Sequence, residues 1–374
     1  MIKIIPVETK RQLRQFIDFP HELYQADKNY VPEIFMAQRD MLTRGKHPSH
    51  AHITFQLFLA YSGEEIVGRI ASIHNQNHID YTQRNDGFFG FFDAIDDDQV
   101  SQALFGAAFE FLKSKGIENV IGPVNFSTND PLGTLIKGFE ASPQIMMTYN
   151  KPYYGSLLEN VGFVKKMDLL AYWFDIATIP DRVLALAKKI EERLNRNGIT
   201  IRTINLKDFK NEVKKIKDIY NQAWDKNWGF VPMTEKEFDY VAKDMKLLMD
   251  KDFVLVAEKD KKLIGFTLCL PNLNEVLINV KKGRLFPTGI FKILFGKSKI
   301  KSLRVLTLGI LEQYRSLGIG VCFYARLTEK AKEKGFVGGE ASWILETNDM
   351  MNRELKNIKS EVSKTYRLYE KSIG

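Results

Sequence analysis

A strand-to-helix turn near the C-terminus carries residues whose types and spacing could do chemistry. It contains one cation, Arg315, and two glycines, Gly318 and Gly320. The apolar run before it, residues 305–311, has the length and composition of a β-strand. The apolar spacing after it predicts a helix that stops at Gly335, since glycine is the usual residue just past a helix C-terminus. The turn therefore joins a predicted strand to a predicted helix.

Such a turn is suited to holding an anion. The first amides of a helix have no partner within the helix, and the helix dipole places partial positive charge there. Glycines allow a pyrophosphate to approach the bare amides, and Arg315 would add a full charge with a forked donor. An ordinary glycine-containing βα turn has the same local pattern, so these residues alone leave both interpretations open.

The motif Arg315-x-x-Gly318-x-Gly320 resembles the acyl-CoA-binding signature of the GNAT acyltransferase superfamily, R/Q-x-x-G-x-G/A. The downstream order is similar too. A strand at 339–347 reaches Asn348, a helix follows, and a closing strand at 364–370 ends the chain. The resemblance covers roughly residues 199–374.

The resemblance implies that acetyl-CoA, or another acyl-CoA, is the cofactor, and it implies no metal. Strand backbone amides would hold the thioester carbonyl, and the turn would hold the pyrophosphate. The implied cofactor-binding residues are Ile310, Leu311, Arg315, Leu317, Gly318, Ile319, Gly320 and Asn348.

The catalytic acid and base are less clearly marked. In GNAT enzymes a tyrosine on the helix after the asparagine often protonates the departing thiolate, but this chain has Leu355 at that position, seven residues past Asn348. Tyr324 or Tyr366 could replace it, or no residue at all. Glu346 and Glu312 are candidate bases. The residues we nominate as catalytic are Glu346 and Tyr324.

Two regions are candidates for the acceptor site. One joins a helix to a turn in the second half, and the other comprises polar loops in the first half. Side chains that pack in the core or cap their own turns would give the same pattern. The candidate substrate-binding residues are Trp224, Asn227, Trp228, Asn125, Asn129, Tyr149 and Asn150.

The fractions of apolar and charged residues and the small number of cysteines indicate which class of protein this is. The 374 residues are 44% apolar and 27% charged, as in globular proteins, and they suffice for two domains. The only cysteines, Cys269 and Cys322, lie in apolar segments, so we expect no disulfide and a cytoplasmic location. No apolar run approaches the roughly 20 residues of a membrane span. The histidines at 47, 50 and 52 surround a proline and are interpreted as a structural loop.

The two halves of the chain repeat one plan. Residues 60–68 match residues 257–265 at identical spacing, which indicates a duplicated domain. We predict an α/β fold of two tandem GNAT-like domains, residues 1–178 and 179–374, each with a central mixed, mostly antiparallel sheet flanked by helices. At the place of the glycine turn the first half has the acidic segment 93–98, which would repel a pyrophosphate. We therefore expect only the second half to bind CoA.

The excess positive charge is concentrated in one window. Residues 281–304 contain eight basic residues and no acidic one. The charge of this window therefore equals the net charge of the whole chain, +8. Large apolar residues alternate with these cations, and exposing them to water would be costly. The window could pack on the protein, cover an acyl chain or contact a membrane surface. Without a recognisable nucleic-acid motif, we expect no nucleic-acid partner.

These observations predict an acyl-CoA-dependent N-acyltransferase that acts on an unidentified amine. One alternative has a long-chain acyl donor or a lipid amine acceptor at a membrane surface. Another is a CoA-binding protein without turnover. The partner is accordingly a small-molecule or lipid-like amine, with peripheral membrane contact through 281–304 as an open option.

Overall fold

Strands and helices alternate along the chain in the computed structural model, which describes residues 1–225 and 227–374. The strands are β1 (Ile2–Pro6), β2 (Ile53–Ser62), β3 (Glu65–Asn75), β4 (Asp86–Ala94), β5 (Asn119–Gly122), β6 (Thr134–Lys137), β7 (Val164–Asp175), β8 (Ile199–Thr203), β9 (Val254–Lys259), β10 (Lys262–Pro271), β11 (Ser302–Ile310), β12 (Gly338–Leu345) and β13 (Glu361–Ser372).

The α-helices lie between these strands. They are α1 (Lys10–Leu23), α2 (Phe35–Leu42), α3 (Gln76–Thr82), α4 (Asp98–Lys113), α5 (Tyr154–Asn160), α6 (Asp181–Arg196), α7 (Phe209–Trp224), α8 (Glu235–Leu248), α9 (Asn274–Leu277), α10 (Gly289–Gly296), α11 (Ile319–Glu333) and α12 (Asp349–Asn357).

The chain forms two compact units, and neither is continuous in sequence. The first comprises Met1–Leu169, Asn274–Lys297 and Lys364–Gly374, and the second comprises Leu170–Leu273 and Ser298–Ser363. This division differs from the single boundary predicted after residue 178. The C-terminal residues join the first unit because β13 pairs antiparallel with β5, from Tyr369 opposite Gly122 to Ser372 opposite Asn119.

The first unit is built on a sheet with the strand order β1-β2-β3-β4-β5-β13, and β6 also pairs with β13. β2 and β3 pair antiparallel as a hairpin that turns at residues 63–64. The aromatic run at residues 88–92 lies in β4, and all nine residues of this strand are buried. Phe89 and Phe105 of α4 meet edge to face in the core beside it, at 5.0 Å between ring centroids.

The second unit has the strand order β12-β11-β10-β9-β8, and the later part of β7 lies beside β12. α6 is rich in charged residues, and Gly198 follows it with a φ of +73°, the left-handed conformation that ends helices. Its buried Leu194 packs in one core cluster with Phe323 and Leu327 of α11. The core therefore lies between the sheet and these two helices.

The units repeat the same arrangement of elements. Each has an antiparallel hairpin, β2–β3 in the first and β9–β10 in the second, followed by a strand–helix–strand unit whose strands run parallel. In the second unit that is β11–α11–β12, and in the first it is β4–α4–β5. The predicted α/β class and tandem GNAT-like organisation are confirmed.

Candidate active site

The second unit contains a cleft where two parallel strands separate. β11 and β12 pair from Ser302 opposite Gly338 to Val305 opposite Ala341, and their later residues line a cleft of about 580 Å³. The same cleft is lined by the end of α7, the start of α11 and the start of α12. The opening gives a ligand access to strand backbone that would otherwise be paired within the sheet.

A buried arginine holds the two strands together where the opening begins. Arg304 is only 1% exposed, and its Nε and Nη2 donate to the hydroxyl and the backbone carbonyl of Ser342, each at 3.1 Å. The Ser342 hydroxyl donates in turn to Glu340, which lies opposite Arg304 in the strand register. Because a buried charge needs such partners, this network fixes the geometry of the cleft floor.

The glycine turn forms the mouth of the cleft. A 3₁₀ helix, Glu312–Leu317, leads to Gly318, whose φ of +86° is the left-handed conformation, and α11 begins at Ile319. A side chain on Gly318 would also meet Ile190 at 3.0 Å. A Cβ on Gly320 would meet only Ile310, at 3.7 Å, so this glycine leaves space over the first turn of the helix. The positive end of α11 is accessible from the cleft.

Arg315 stands at this mouth with its guanidinium oriented by two backbone carbonyls. Its Nε donates to the carbonyl of Ile310 at 3.1 Å, and its Nη2 donates to the carbonyl of Ala223 at 3.2 Å. The side chain is exposed, so its remaining donors can reach a phosphate.

One of the two strand amides expected to hold a thioester carbonyl already donates a hydrogen bond within the sheet. The N–H of Leu311 donates to Ile264 in β10 at 3.0 Å. Since successive amides of a strand point to opposite sides, the N–H of Ile310 points away from β10, toward the cleft. Ile310 lines the cleft, whereas Leu311 and Leu317 pack against the core and Ile319 is fully buried. The N–H of Leu311 is therefore taken up within the sheet, the N–H of Ile310 is the available donor, and contact of either residue with the cofactor stays a prediction.

Two residues that line the cleft have buried hydroxyls without a hydrogen-bond partner among the residues that the structure describes. They are Thr307 Oγ1, just past the separation of the strands, and Tyr324 Oη on α11. Burial raises the pKa of Tyr324 well above its ordinary value, and the charge of Glu354 raises it further, so the phenol stays protonated. Because buried polar groups are nearly always paired, these two hydroxyls indicate that the cleft receives a polar ligand.

Glu354 is a cleft residue that the sequence patterns did not reveal. It lies on α12 one position before Leu355, which is fully buried in the core. Much of the Glu354 side chain is exposed, but the protein around its carboxyl excludes part of the water and raises its pKa. A helical signal could have found it, because Thr347, Met351 and Glu354 follow the spacing of one helix face and all line the cleft.

The other nominated acids and bases are elsewhere. Glu312 is exposed, and neither Glu312 nor Glu346 is among the described residues that line the cleft. Tyr366 is fully buried in the first unit. Asn348 does line the cleft, and its side chain caps α12 by accepting from the N–H of Met351 at 3.2 Å.

The predicted acceptor residues of the second half line the same cleft. Trp224, Asn227 and Trp228 come from the end of α7 and the turn after it. Trp224 also packs in the core, since it stacks on Tyr220 and lies where a Cβ on Gly309 would approach it to 2.3 Å. Asn227 and Trp228 therefore remain predicted acceptor contacts, and Trp224 has a packing role as well.

The predicted acceptor residues of the first half do not line this cleft. Asn150 is buried and bonds both the N–H and the carbonyl of Leu135 in β6. The Asn125 side chain accepts from a backbone N–H, the Asn129 N–H donates to a serine, and the Tyr149 hydroxyl donates to an aspartate. Each has a structural hydrogen bond within the first unit, and their contact with an acceptor stays a prediction.

In the first unit, the place of the glycine turn holds an acidic network. Asp93, at the end of β4, binds Arg69 at 2.7 Å and accepts hydrogen bonds from the hydroxyls of Tyr24 and Tyr154. Asp97 then caps α4 by accepting from the N–H of the residue two positions on. Carboxylates of the chain itself therefore lie at the start of α4, where the second unit has its open helix start. This is expected for a copy that lacks the CoA motif.

The two thiols are unsuited to covalent catalysis. Cys322 lies on α11 and is fully buried, and burial raises its pKa to about 11. The pKa of Cys269 is raised to about 12 for the same reason. Because the thiolate is the nucleophile, neither residue is reactive at neutral pH.

A small apolar cavity of about 30 Å³ adjoins the cleft in the same unit. Tyr324 and Val305 line both spaces, and the rest of the cavity wall comes from α6, α11 and the strands beneath them. An apolar group in the cleft beside Tyr324 would therefore have apolar neighbours.

Two curated relatives match nearly the whole chain. Protein YghO of Escherichia coli is 38% identical over 373 residues, which cover 97% of this chain and 94% of that protein. The bacterial ceramide synthase of Caulobacter vibrioides is 34% identical over 380 residues, which cover 100% of this chain and 98% of that protein. No family model matches the chain.

Solved structures match by fold at low identity. A tandem GNAT protein from the clavulanic acid biosynthesis pathway covers 100% of this chain and 99% of its own, with a TM-score of 0.59 and 12% identity. A probable N-acyltransferase from Enterococcus faecalis covers 100% of this chain and 73% of its own, with a TM-score of 0.52 and 8% identity. These likenesses establish the tandem GNAT fold over the full length.

Proposed function

Because the chain belongs to the tandem form of the GNAT acyltransferase superfamily, in one family with YghO and the bacterial ceramide synthase, we propose that it transfers a long-chain acyl group from CoA to a lipid-like amine. The observation that carries the proposal is the cleft between β11 and β12. It combines the open N-terminus of α11 with two unpartnered hydroxyls and a carboxyl of raised pKa.

The cleft residues fit acyl-CoA. The first-turn amides of α11 and the guanidinium of Arg315 would hold the pyrophosphate, since Gly320 leaves the helix start uncovered. The N–H of Ile310 and the hydroxyl of Thr307 would bind amide or thioester oxygens along the separated strand. Acyl-CoA supplies the activated thioester, and binding is confined to the second unit because the first has Asp93 and Asp97 at the equivalent place.

Two cleft residues would handle the protons. As the amine nitrogen attacks the carbonyl carbon and the carbon–sulfur bond breaks, Glu354 takes the proton that the amine loses. Tyr324 donates its phenolic proton to the departing thiolate. The raised pKa of each group suits its role, since a carboxyl becomes a stronger base and a phenol stays protonated. The products are an amide and free CoA.

The chain length of the donor and the nature of the acceptor are proposed from the relative. A ceramide is an amide of a fatty acid and a long-chain amino alcohol, and the ceramide synthase of Caulobacter vibrioides is 34% identical over the whole chain. The apolar residues beside Tyr324 give an acyl group apolar neighbours, and its length is proposed from the relative alone. Acetyl-CoA, the first expectation from the motif, becomes the comparison donor.

The test is a substrate matrix with the purified chain. Acetyl-, octanoyl- and palmitoyl-CoA are each combined with a long-chain amino alcohol, a short diamine or a peptide N-terminus. Free thiol release and the mass of the amide are measured. We expect turnover with the long-chain donor and the long-chain amine. Calorimetry that detects one CoA per chain, with no thiol release from any combination, would instead identify a binding protein without turnover.

A further inference from the structure

One face of α10 is apolar and turned toward solvent. Phe291, Leu294 and Phe295 follow the i, i+3, i+4 spacing of a single helix face, and they are 57%, 61% and 75% exposed. Phe286, just before the helix, is 69% exposed. The apolar stripe of a surface helix ordinarily faces the core, so this orientation is reversed. Grouped apolar side chains in water mark a surface that binds a partner.

The segment that carries α10 is firmly attached to the first unit. Arg284 donates to both carboxylate oxygens of Asp18, at 2.7 and 2.8 Å, and its guanidinium lies over a phenylalanine ring. Gly296, at the other end of the helix, lies so near Val276 that a Cβ would approach it to 2.6 Å. The anchor residues face inward, which leaves the apolar face of α10 outward. The exposure therefore belongs to a packed helix.

The chain segment that carries this face has charges of one sign. No Asp or Glu occurs between residues 276 and 311, whereas Lys292 lies on the helix and Lys297 and Lys299 follow it. Lys292 donates to a backbone carbonyl, that of Asn279, at 2.7 Å, which leaves its positive charge uncompensated by a carboxylate there. An apolar face bordered by cations complements the surface of an anionic bilayer, which offers acyl chains below a layer of negative headgroups.

We propose that α10 and Phe286, three residues before it, dock the protein on an anionic lipid bilayer. The side chains of Phe286, Phe291, Leu294 and Phe295 enter the boundary between headgroups and acyl chains, and the lysines contact the headgroups. Two helical turns provide peripheral and reversible attachment. No helix among the described residues is long and apolar enough to cross a bilayer. The proposal rests on this segment alone and holds whether or not the cleft is catalytic.

Vesicle co-sedimentation tests the apolar face. The full chain is mixed with phosphatidylcholine vesicles, with and without about 30% phosphatidylglycerol as the anionic lipid. We expect binding to the anionic vesicles, and we expect the triple variant Phe291→Ser, Leu294→Ser, Phe295→Ser to lose affinity on the order of tenfold or more.

The matched control removes three apolar side chains of similar exposure elsewhere. Val164, Leu186 and Leu247 are 61%, 52% and 70% exposed, and changing all three to serine is expected to leave vesicle binding unchanged. Because every altered side chain is exposed, both triple variants should unfold at the wild-type temperature. Failure of the wild type to bind anionic vesicles at low salt overturns the proposal, and so does equal loss in both triples.

The cations are tested in the same assay. Changing Lys292, Lys297 and Lys299 to glutamine should weaken binding on the order of 100-fold at low salt, and added salt should reduce the difference. The control changes three exposed lysines at the start of α7 and before it, namely Lys207, Lys210 and Lys214, to glutamine. Equal loss in this control would mean that only the net charge matters, which contradicts a specific docking face.

A fluorescent reporter distinguishes lipid from a protein partner or a second copy. Both native cysteines are buried, so Phe295→Cys provides one reactive site for an environment-sensitive dye. Anionic vesicles should shift its emission to the blue, and Leu247→Cys should show no shift. A blue shift that appears without vesicles when the protein concentration is raised, and that is lost when Phe291→Ser and Leu294→Ser are added to the labelled Phe295→Cys chain, would assign the face to self-association and overturn the proposal.

Discussion

At the scale of single residues, the candidate site depends on the missing side chain at Gly320 as well as on the polar groups around it. Gly320 leaves the start of α11 uncovered, and Thr307 and Tyr324, which line the cleft, have buried hydroxyls without a partner among the described residues. A ligand with a diphosphate and further acceptor oxygens would supply a partner for the helix start and for both hydroxyls. Predictions at this scale therefore concern filling, removing or titrating one group.

Filling the space at Gly320 should weaken CoA binding without unfolding the protein. The Gly320→Glu side chain would project over the first turn of α11 and repel the diphosphate, weakening binding about 5- to 1,000-fold. Calorimetry with CoA measures this. Gly106→Glu is the matched control, since Gly106 is an exposed glycine within α4 and a Cβ placed there would have no neighbour within 4 Å. Wild-type CoA affinity in Gly320→Glu would show that CoA binds elsewhere.

Glu354 should set the acidic limb of the pH profile. A base acts when deprotonated, so the rate rises as pH passes the pKa of Glu354, and desolvation raises that pKa above its usual value. Glu354→Gln should lower kcat/KM about 10²- to 10⁴-fold and remove the limb that this carboxyl contributes. Glu346→Gln, outside the cleft lining, is the control and should keep the wild-type profile. A retained limb in Glu354→Gln would assign the proton to another group.

Tyr324 should act as an acid over the whole neutral range. Its pKa is raised well above the ordinary value, so the phenol stays protonated and the rate should not fall through this group up to about pH 10. Tyr324→Phe should lower kcat more than it raises KM, because the proton is needed only as the thiolate leaves. Steady-state kinetics measure this, and the exposed Tyr81→Phe is the control. An unchanged kcat in Tyr324→Phe would exclude the role.

At the scale of elements, two parallel strands that pair for four residues and then part create the site. The buried Arg304 fixes the point of separation through Ser342 and Glu340. A fully paired sheet would have consumed the strand amides, and a wider separation would have lost the network. The strand–helix–strand unit therefore serves both the fold and the cleft.

Breaking this network should cost stability, whereas removing the cation at the mouth should cost affinity. Arg304→Met removes the buried donors to the hydroxyl and carbonyl of Ser342 and should destabilise the protein by about 1–3 kcal/mol. The double variant with Glu340→Gln should lose less than the sum of the two single losses, because both residues belong to one network through Ser342. Arg315→Met, on the exposed side of the turn, should cost less than about 1 kcal/mol yet weaken CoA binding. Urea unfolding and calorimetry measure the two effects, and equal unfolding free energies for Arg304→Met and the wild type would contradict the assignment.

At the scale of the whole molecule, the last eleven residues belong to the first unit although they end the chain. They supply the strand that pairs with β5 and β6, and the buried side chains of Tyr366 and Tyr369. Lys364 donates to two backbone carbonyls of the first unit, those of Gly138 and Ala141. The first unit cannot complete its sheet before residues 364–374 have been synthesised.

Deleting residues 364–374 should therefore unfold the first unit and not the CoA site. Hydrogen exchange resolved by peptides should show lost protection in β2–β5 and retained protection in β9–β12, because the deleted strand pairs with β5. Removing Gly374 alone is the control, since it is exposed. Wild-type protection in β4 and β5 after the deletion would contradict the division of the chain into these units.

Local patterns in the sequence determined the elements and the motif. Apolar runs, glycine stops and capping residues act over a few neighbours, so β4, α4, α6 and the turn at Gly318 follow from short segments. The repeat at an offset of 197 residues likewise needed no coordinates.

Tertiary structure decided what depends on neighbours distant in the chain. The N–H of Leu311 is hydrogen-bonded to β10, and Glu354 lines the cleft, because strand register and helix rotation set which groups face the opening. The C-terminal strand pairs with β5, since hydrogen bonds join strands regardless of their separation in sequence. The apolar face of α10 points outward because Arg284 and Gly296 anchor its opposite side. Sequence supplies the groups and their local geometry, and long-range packing decides which of them meet.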